Sequence, residues 1–393
     1  MRRTIGVAGL CVLAAAAGYL PVSSASATVA KAAISSPGWH VSTKYPAADG
    51  VWSDLVSSSG QGNSWSLWQA CGTSACTGTG LFSYLKRWDG SAWKNIPVPS
   101  ALAADASTAV TLASDSPTDA WLFTSSGVVL RWNGSKLTAH PIPSWVVRLS
   151  RNGLYYASAQ VFGPNNVWVF SAGFHICGPN GLTCPDKYVS RYHHGRWTKS
   201  KLPVAPLEVS ALSASNIWVL SQPSGTDSRY KLAHWNGQRW STVSVPTVQV
   251  PKNSVEYVGN LAADTKGDVW LTRNINTGTQ GGRTLYLMRW AAGHWHRVYF
   301  RKPTSNVSYL ASDGHGGVWL ADNGPRPNYT WYLDHYNAGQ WQRDSVPAVQ
   351  GTSLLDLISL TWIPGTRSVW AGANDLIPNA SQGIVGSMLK YRY

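Results

Sequence analysis

Residues 231–246 read KLAHWNGQRWSTVSVP, and the fold follows from this stretch. Two short strand-like runs flank Asn236-Gly237. Asn-Gly between such runs is the strongest short-range hairpin signal, because both residues tolerate the positive φ of a tight turn. Pro246 closes the second run, as suits an outer strand that needs no ladder donor.

Variants of this hairpin recur as KRWDGSAW (Trp88, Trp93), LRWNGSKL (Trp132, Leu137), SRYHHGRW (Tyr192, Trp197), MRWAAGHW (Trp290, Trp295) and DHYNAGQW (Tyr336, Trp341). Each has an aromatic followed five residues later by Trp or Leu, with Gly between. A second motif alternates with it: a small turn, an apolar residue, then Trp. It ends in Trp68 (within NSWSLW, which also holds Trp65), Trp121, Trp168, Trp218, Trp270, Trp319 and Trp370. The interval is about 50 residues throughout, the signature of a repeat architecture. There are seven copies of the Trp motif but six of the hairpin. The seventh hairpin is split: the chain ends in SMLKYRY, with Tyr391 in the aromatic place, and SPGWHVSTKYP near its start supplies Gly38, Trp39 and Pro46. One terminus provides the strand the other lacks, which closes a ring of sheets and removes an exposed edge. The expected fold is all-β: a seven-bladed β-propeller of four-stranded antiparallel blades, closed by pairing of the terminal strands.

Composition suits this reading. Of 393 residues 44% are hydrophobic, 22 are Trp and only 13% are charged, which excludes a disordered or coiled-coil chain. Arg2-Arg3, the apolar run from Ile5 to Leu20 and the small-residue site Ala25-Ser26-Ala27 read as a signal peptide over 1–27. Residues 28–37 then form a linker and 38–393 a single propeller domain, with no membrane span once the signal is removed. An exported chain with Cys71, Cys76, Cys177 and Cys184 is expected to pair them, 71–76 and 177–184 by proximity, rather than to bind zinc. The formal net charge of +14 would attract polyanions, whether cell-wall polymers, acidic polysaccharides, anionic lipid or nucleic acid, and no specific nucleic-acid partner is expected. The basic residues are spread along the chain, so solubility accounts for the charge before a polyanion site does.

DTKGDVW (264–270), DGHGGVW (313–319) and the WNGxxW hairpins carry a resemblance to secreted bacterial β-propellers of the kelch-like and regulator-propeller type. The resemblance spans the mature chain and implies the fold. It says little of function, because this superfold hosts lectins, lyases, hydrolases, oxidases and scaffolds.

Most Trp residues sit in the two motifs, where one per blade at one strand position packs blade on blade. Trp52, Trp145, Trp331 and Trp362 lie outside them. Trp145 and Trp331 fall in predicted loops and are ligand-binding candidates, with Arg326 and Tyr329 beside Trp331. A basic residue precedes the third-strand aromatic in every repeat: Arg87, Arg131, Arg191, His234, Arg289, His335 and Lys390. These form either a solvent-facing strand position or a ring of cations. Glu208, Glu256 and Asp356 fall near the starts of first strands and are the candidate catalytic acids at the channel mouth. No nucleophile elbow, HExxH helix, metal-ligand set or cofactor motif is present. The long loops between second and third strands and between blades share one face, where recognition is expected. The expected function is a secreted, monomeric, non-catalytic propeller that binds a glycan, a cell-wall polymer or an extracellular protein through that face. The alternative is a polysaccharide hydrolase or lyase using the three acids.

Overall fold

A computed structural model describes residues 38–44, 51–71, 81–106, 109–124, 127–143, 145–146, 156–171, 174–176, 183–185, 187–221, 229–276, 283–299, 307–323, 330–349, 351–377 and 384–393. Its strands form seven four-stranded antiparallel sheets. The innermost strands, in blade order, are Val51–Gly60, Ala109–Ser116, Tyr156–Val161, Pro206–Ser213, Val255–Ala263, Val307–Ser312 and Ser353–Trp362. Blade seven takes its outer strand, Gly38–Lys44, from the start of the chain, pairing Trp39 with Tyr391 and His40 with Lys390. The velcro closure implied by the split hairpin is therefore present. A two-stranded hairpin, Phe174–Ile176 with Thr183–Pro185, is inserted in blade three. A short helix, Ser100–Ala106, links blades one and two. Five of its seven residues are Ala or Leu, both of high helix propensity, and Leu102 and Ala106 pack into the interface between those blades.

The core is divided among the blade interfaces. Seven hydrophobic clusters are found among the described residues, each shared by two adjacent blades. A blade cannot bury its own faces, so the ring is the smallest unit with a closed core. Each hairpin adds one cross-strand pair at the same register: Trp88 with Trp93, Trp132 with Leu137, Tyr192 with Trp197, Trp235 with Trp240, Trp290 with Trp295, Tyr336 with Trp341 and Tyr391 with Trp39. In the aromatic pairs the rings lie 4.9–5.8 Å apart, the range of favourable tilted and edge contacts.

The turn at Asn236-Gly237 differs from its expected form. Only Gly237 has positive φ, at 92°. Asn236 instead accepts hydrogen bonds from the Gln238 and Arg239 N–H groups, making a four-residue side-chain-capped loop between Trp235 and Trp240. Asp89 and Asn133 cap the same loop in blades one and two. A Cβ on Gly237 would meet Ser215 Cβ at 2.9 Å, so glycine is required by contact as well as by φ. The two-residue turns with consecutive positive φ occur where Asn-Gly is absent: His194-Gly195, Ala292-Gly293 and Ala338-Gly339, each non-glycine residue at φ 49°. An Asn at the first turn position uses its side chain as a cap, and that selects the longer loop.

An L-residue in the left-handed region costs about 1–2 kcal/mol. Ala338→Gly is therefore expected to raise stability by about 1 kcal/mol in a urea melt, net of glycine's extra chain entropy. Gly237→Ala is expected to lower it.

Candidate functional site

The second-strand Trp and the basic residue of the third strand form one repeated clasp. Trp65 faces Arg87, Trp121 Arg131, Trp168 Arg191, Trp218 His234, Trp270 Arg289, Trp319 His335 and Trp370 Lys390. The blade-one member is thus Trp65 rather than Trp68. The guanidinium of Arg131 lies 4.8 Å from the Trp121 ring, Arg191 4.8 Å from Trp168 and Arg289 5.2 Å from Trp270, all cation–π geometries. His234 stacks on Trp218 at 4.0 Å and His335 on Trp319 at 3.9 Å. The residue two before the Trp completes the clasp. Asp119 accepts from Arg131 Nε at 2.8 Å, Asn166 from Arg191 Nε at 3.0 Å, and Asp268 from Arg289 Nε at 3.0 Å. Asn216 bonds His234 at 3.0 Å.

Blade six replaces this acceptor. Gly317 stands in its place, and Asp313 reaches in from four residues earlier to bond His335 at 3.0 Å. A Cβ on Gly317 would clash with that carboxylate and with the Tyr336 carbonyl. The other Asp313 oxygen accepts from the His315 and Gly317 N–H groups. Burial alone would raise the Asp313 carboxyl, but His335 and these two N–H groups outweigh it and hold it below the usual carboxylate range. The DGHGGVW motif is therefore a side-chain-capped turn, and so is DTKGDVW, where Asp264 accepts from the Lys266 N–H. The basic third-strand residues do not form a ring open to a polyanion: six are bonded to or stacked on their own blades, and Arg87 donates to the Pro117 carbonyl of blade two.

The candidate acids separate. Glu208 binds across a blade interface, its two oxygens accepting from the Asn260 N–H at 2.7 Å and the Leu261 N–H at 2.6 Å. Those N–H groups belong to a β-bulge between Gly259 and Ala262. The other six inner strands carry their bulge elsewhere, opposite the second and third residues after the clasp Trp. Glu208 satisfies the displaced bulge of blade five, where Asn260 takes φ 54°. Burial pushes its carboxyl up, and the two N–H groups oppose that shift. Glu256 is ion-paired with Arg273, a buried guanidinium. Asp356 is solvent-exposed on the inner strand of blade seven. Glu208 and Glu256 thus have structural partners.

The inner strands enclose a cavity of about 860 Å³. Its lining comes from the later halves of those strands, so it opens towards the short turns. None of Glu208, Glu256 and Asp356 lines it. The long-loop end has a different character. Among the described residues nine large hydrophobics are exposed, and six of them, Val110, Trp145, Tyr188, Val255, Tyr257 and Leu376, lie at strand ends or connections on that face. Trp145 is 38% exposed in a turn after Pro143. Trp331 is not a loop residue. It begins the third strand of blade six, is 2% exposed, and packs against Tyr309 and Leu357 in the interface with blade seven. Arg326 and Tyr329 lie outside the described residues, as do Cys76 and Cys177. Cys71 and Cys184 lie on strands, but their side chains are outside the described part. The exposed Val255 and Tyr257 escaped sequence reading because alternation on an inner strand does not reveal which end stays uncovered.

Glu208→Gln removes one of two acceptors from paired buried N–H groups and is expected to cost about 1–3 kcal/mol in chemical denaturation. Asp375 is buried and its carboxyl is pushed up by burial, against hydrogen bonds from Ser387 and the Val349 N–H. Its folded pKa lies above its unfolded one, so its stabilising contribution is full below the ordinary carboxylate range and is lost as pH climbs through the raised value. Asp375→Asn is accordingly expected to melt above wild type at about pH 7 and level with it near pH 4.

No protein-family model matches the sequence, and no curated protein matches it. Solved structures do. The chain is similar to YCF48 bound to D1 peptide, with 12% identity, a TM-score of 0.53, and coverage of 90% of this chain and 97% of that one. It is similar to YCF48 from Cyanidioschyzon merolae, at 12% identity and TM-score 0.51, over 90% of this chain and 98% of that one. It also resembles the extracellular domain of the hybrid two component system BT4673 from B. thetaiotaomicron, at 13% identity and TM-score 0.52, over 91% of this chain and 40% of that one. At these identities the likeness is one of architecture, and the architecture is the seven-bladed β-propeller.

Proposed function

We propose that this chain is an exported, non-catalytic binding propeller of the secreted bacterial kelch-like type. Its long-loop face recognises a glycan, a cell-wall polymer or a protein segment. The observation that carries this reading is the concentration of exposed apolar side chains at the long-loop ends of the strands, with Tyr257 59% and Trp145 38% exposed. Isolated exposed hydrophobics are ordinary, but six on one face of a rigid ring fit an aromatic platform for sugar faces or apolar peptide side chains. Support also comes from the fate of the acids: a carboxylate held by two backbone N–H groups, or by a buried guanidinium, is poorly placed to exchange protons with a substrate. A propeller of this build solved with a D1 peptide supports a protein segment among the ligand classes.

Two measurements test the reading. Retention of the purified protein on cell-wall, glycan and peptide supports at low salt is expected to fall for Trp145→Ala and Tyr257→Ala, with melting temperature unchanged. Equal retention of both variants and wild type would count against the long-loop face. Intact mass of the protein recovered from the medium is expected to match a chain beginning near Thr28 and to rise on reduction, as two disulfides open.

A further inference from the structure

The central cavity lies at the other end of the ring from that face. Its lining is neutral and hydroxyl-rich, including Ser57, Ser114, Ser158 and Gln160, and Asp115 is its one ionisable side chain among the described residues. Asp115 Oδ1 is sealed from solvent, and the carboxyl's hydrogen-bonding neighbours are the Ser116 side chain, its own backbone N–H and the Asp119 carboxyl, none of them a cation. The neighbouring Asp119 already has its cation, Arg131, at 2.8 Å. Burial first, and then the Asp119 charge, push the Asp115 carboxyl above the usual range. Asp119, Asp268 and Asp313 face Arg131, Arg289 and His335, whereas Asp115 faces no cation or imidazole among the described residues.

We propose that the short-turn end of the channel is a second binding site, for a ligand carrying a primary ammonium on a neutral polar body, with Asp115 as counter-ion. The lining selects this class. A divalent cation needs several charged oxygen ligands, and the cavity has one carboxylate. A guanidinium is best met by both oxygens of a carboxylate, and Oδ1 of Asp115 is sealed from solvent. An ammonium is a point charge with three donors, which one carboxylate oxygen and the surrounding hydroxyls match. The chain's net charge of +14 does not oppose this at short range. The lining holds no cation among the described residues, and salt screens charges beyond about 8 Å. Phe162 and Trp362 add apolar surface for the carbon skeleton. An amino sugar and a lysine side chain share this chemistry.

Calorimetric titration of the purified chain with four probes tests the site: glucosamine, glucose, Nα-acetyl-lysine amide and its Nε-acetylated form. The two amines are expected to bind and their neutral counterparts not to. Tighter binding of glucosamine would identify a saccharide source, and tighter binding of the lysine amide a protein segment. Asp115→Asn and Asp115→Ala are expected to weaken amine binding about tenfold or more while keeping the fold, because each removes a buried charge. Trp145→Ala and Tyr257→Ala are expected to leave it unchanged, which separates this site from the long-loop face. The proposal is overturned if neither amine binds, if the neutral probes bind equally well, or if the Asp115 variants bind the amines as wild type does.

Discussion

One indole per blade, held at a fixed height by the cation opposite it, is the contact on which the ring depends. Each blade is a thin sheet with two apolar faces, and it is stable only when wedged between two others. A wedge needs a bulky group at a constant radius, and the second-strand Trp supplies it. The cation over its face and the Asx beside it prevent the indole from rotating out of that position. Arg131, Trp121 and Asp119 show the full arrangement. His335, Trp319 and Asp313 reach the same geometry by another route, in which a carboxylate displaced by four residues is accommodated by Gly317. Conservation of geometry with exchange of the contributing residue indicates that the clasp, not any single side chain, is the structural requirement.

The clasp also changes the meaning of the charge. Five of the seven third-strand cations or imidazoles are hydrogen-bonded inside their own blade, and Lys390 lies over Trp370 at 5.2 Å. A strongly basic composition therefore overstates how much cation is available to an outside polyanion. The acids are similarly committed: Glu208 closes a bulge, Glu256 neutralises Arg273, and Asp344 receives the Tyr391 hydroxyl across the closure between blades six and seven. The apolar rim at the long-loop end and Asp115 in its hydroxyl-rich channel are chemically different surfaces on opposite ends of one scaffold.

Much of the architecture was legible in the chain itself. The Trp motif and the hairpin alternate with a period that belongs to one supersecondary unit, and the split hairpin of Trp39 and Tyr391 announced the closure. Legibility failed where register or reach mattered. Trp65 and Trp68 are equally plausible in sequence, and only pairing with Arg87 identifies the first as the clasp member. Trp331 has no repeat equivalent and follows a loop-like stretch, yet the strand begins at Trp331, three residues before the DHYNAGQW motif, and buries it. Asn236-Gly237 signals a hairpin, but the Asn side chain competes with its own backbone for the turn and lengthens it.

The sequence by itself determined the unit, its number and the way the ring closes, because strand period, turn chemistry and recurrent indoles are local properties repeated along the chain. Tertiary structure decided which charges are free. Whether Glu208 is a catalytic acid or a bulge clamp depends on two N–H groups more than fifty residues away. Whether a carboxylate faces a cation, as Asp119 faces Arg131, or another carboxylate, as Asp115 faces Asp119, depends on which strands the fold sets side by side. Desolvation and pairing are set by what the fold brings alongside a group, and a list of residues in order carries no measure of either.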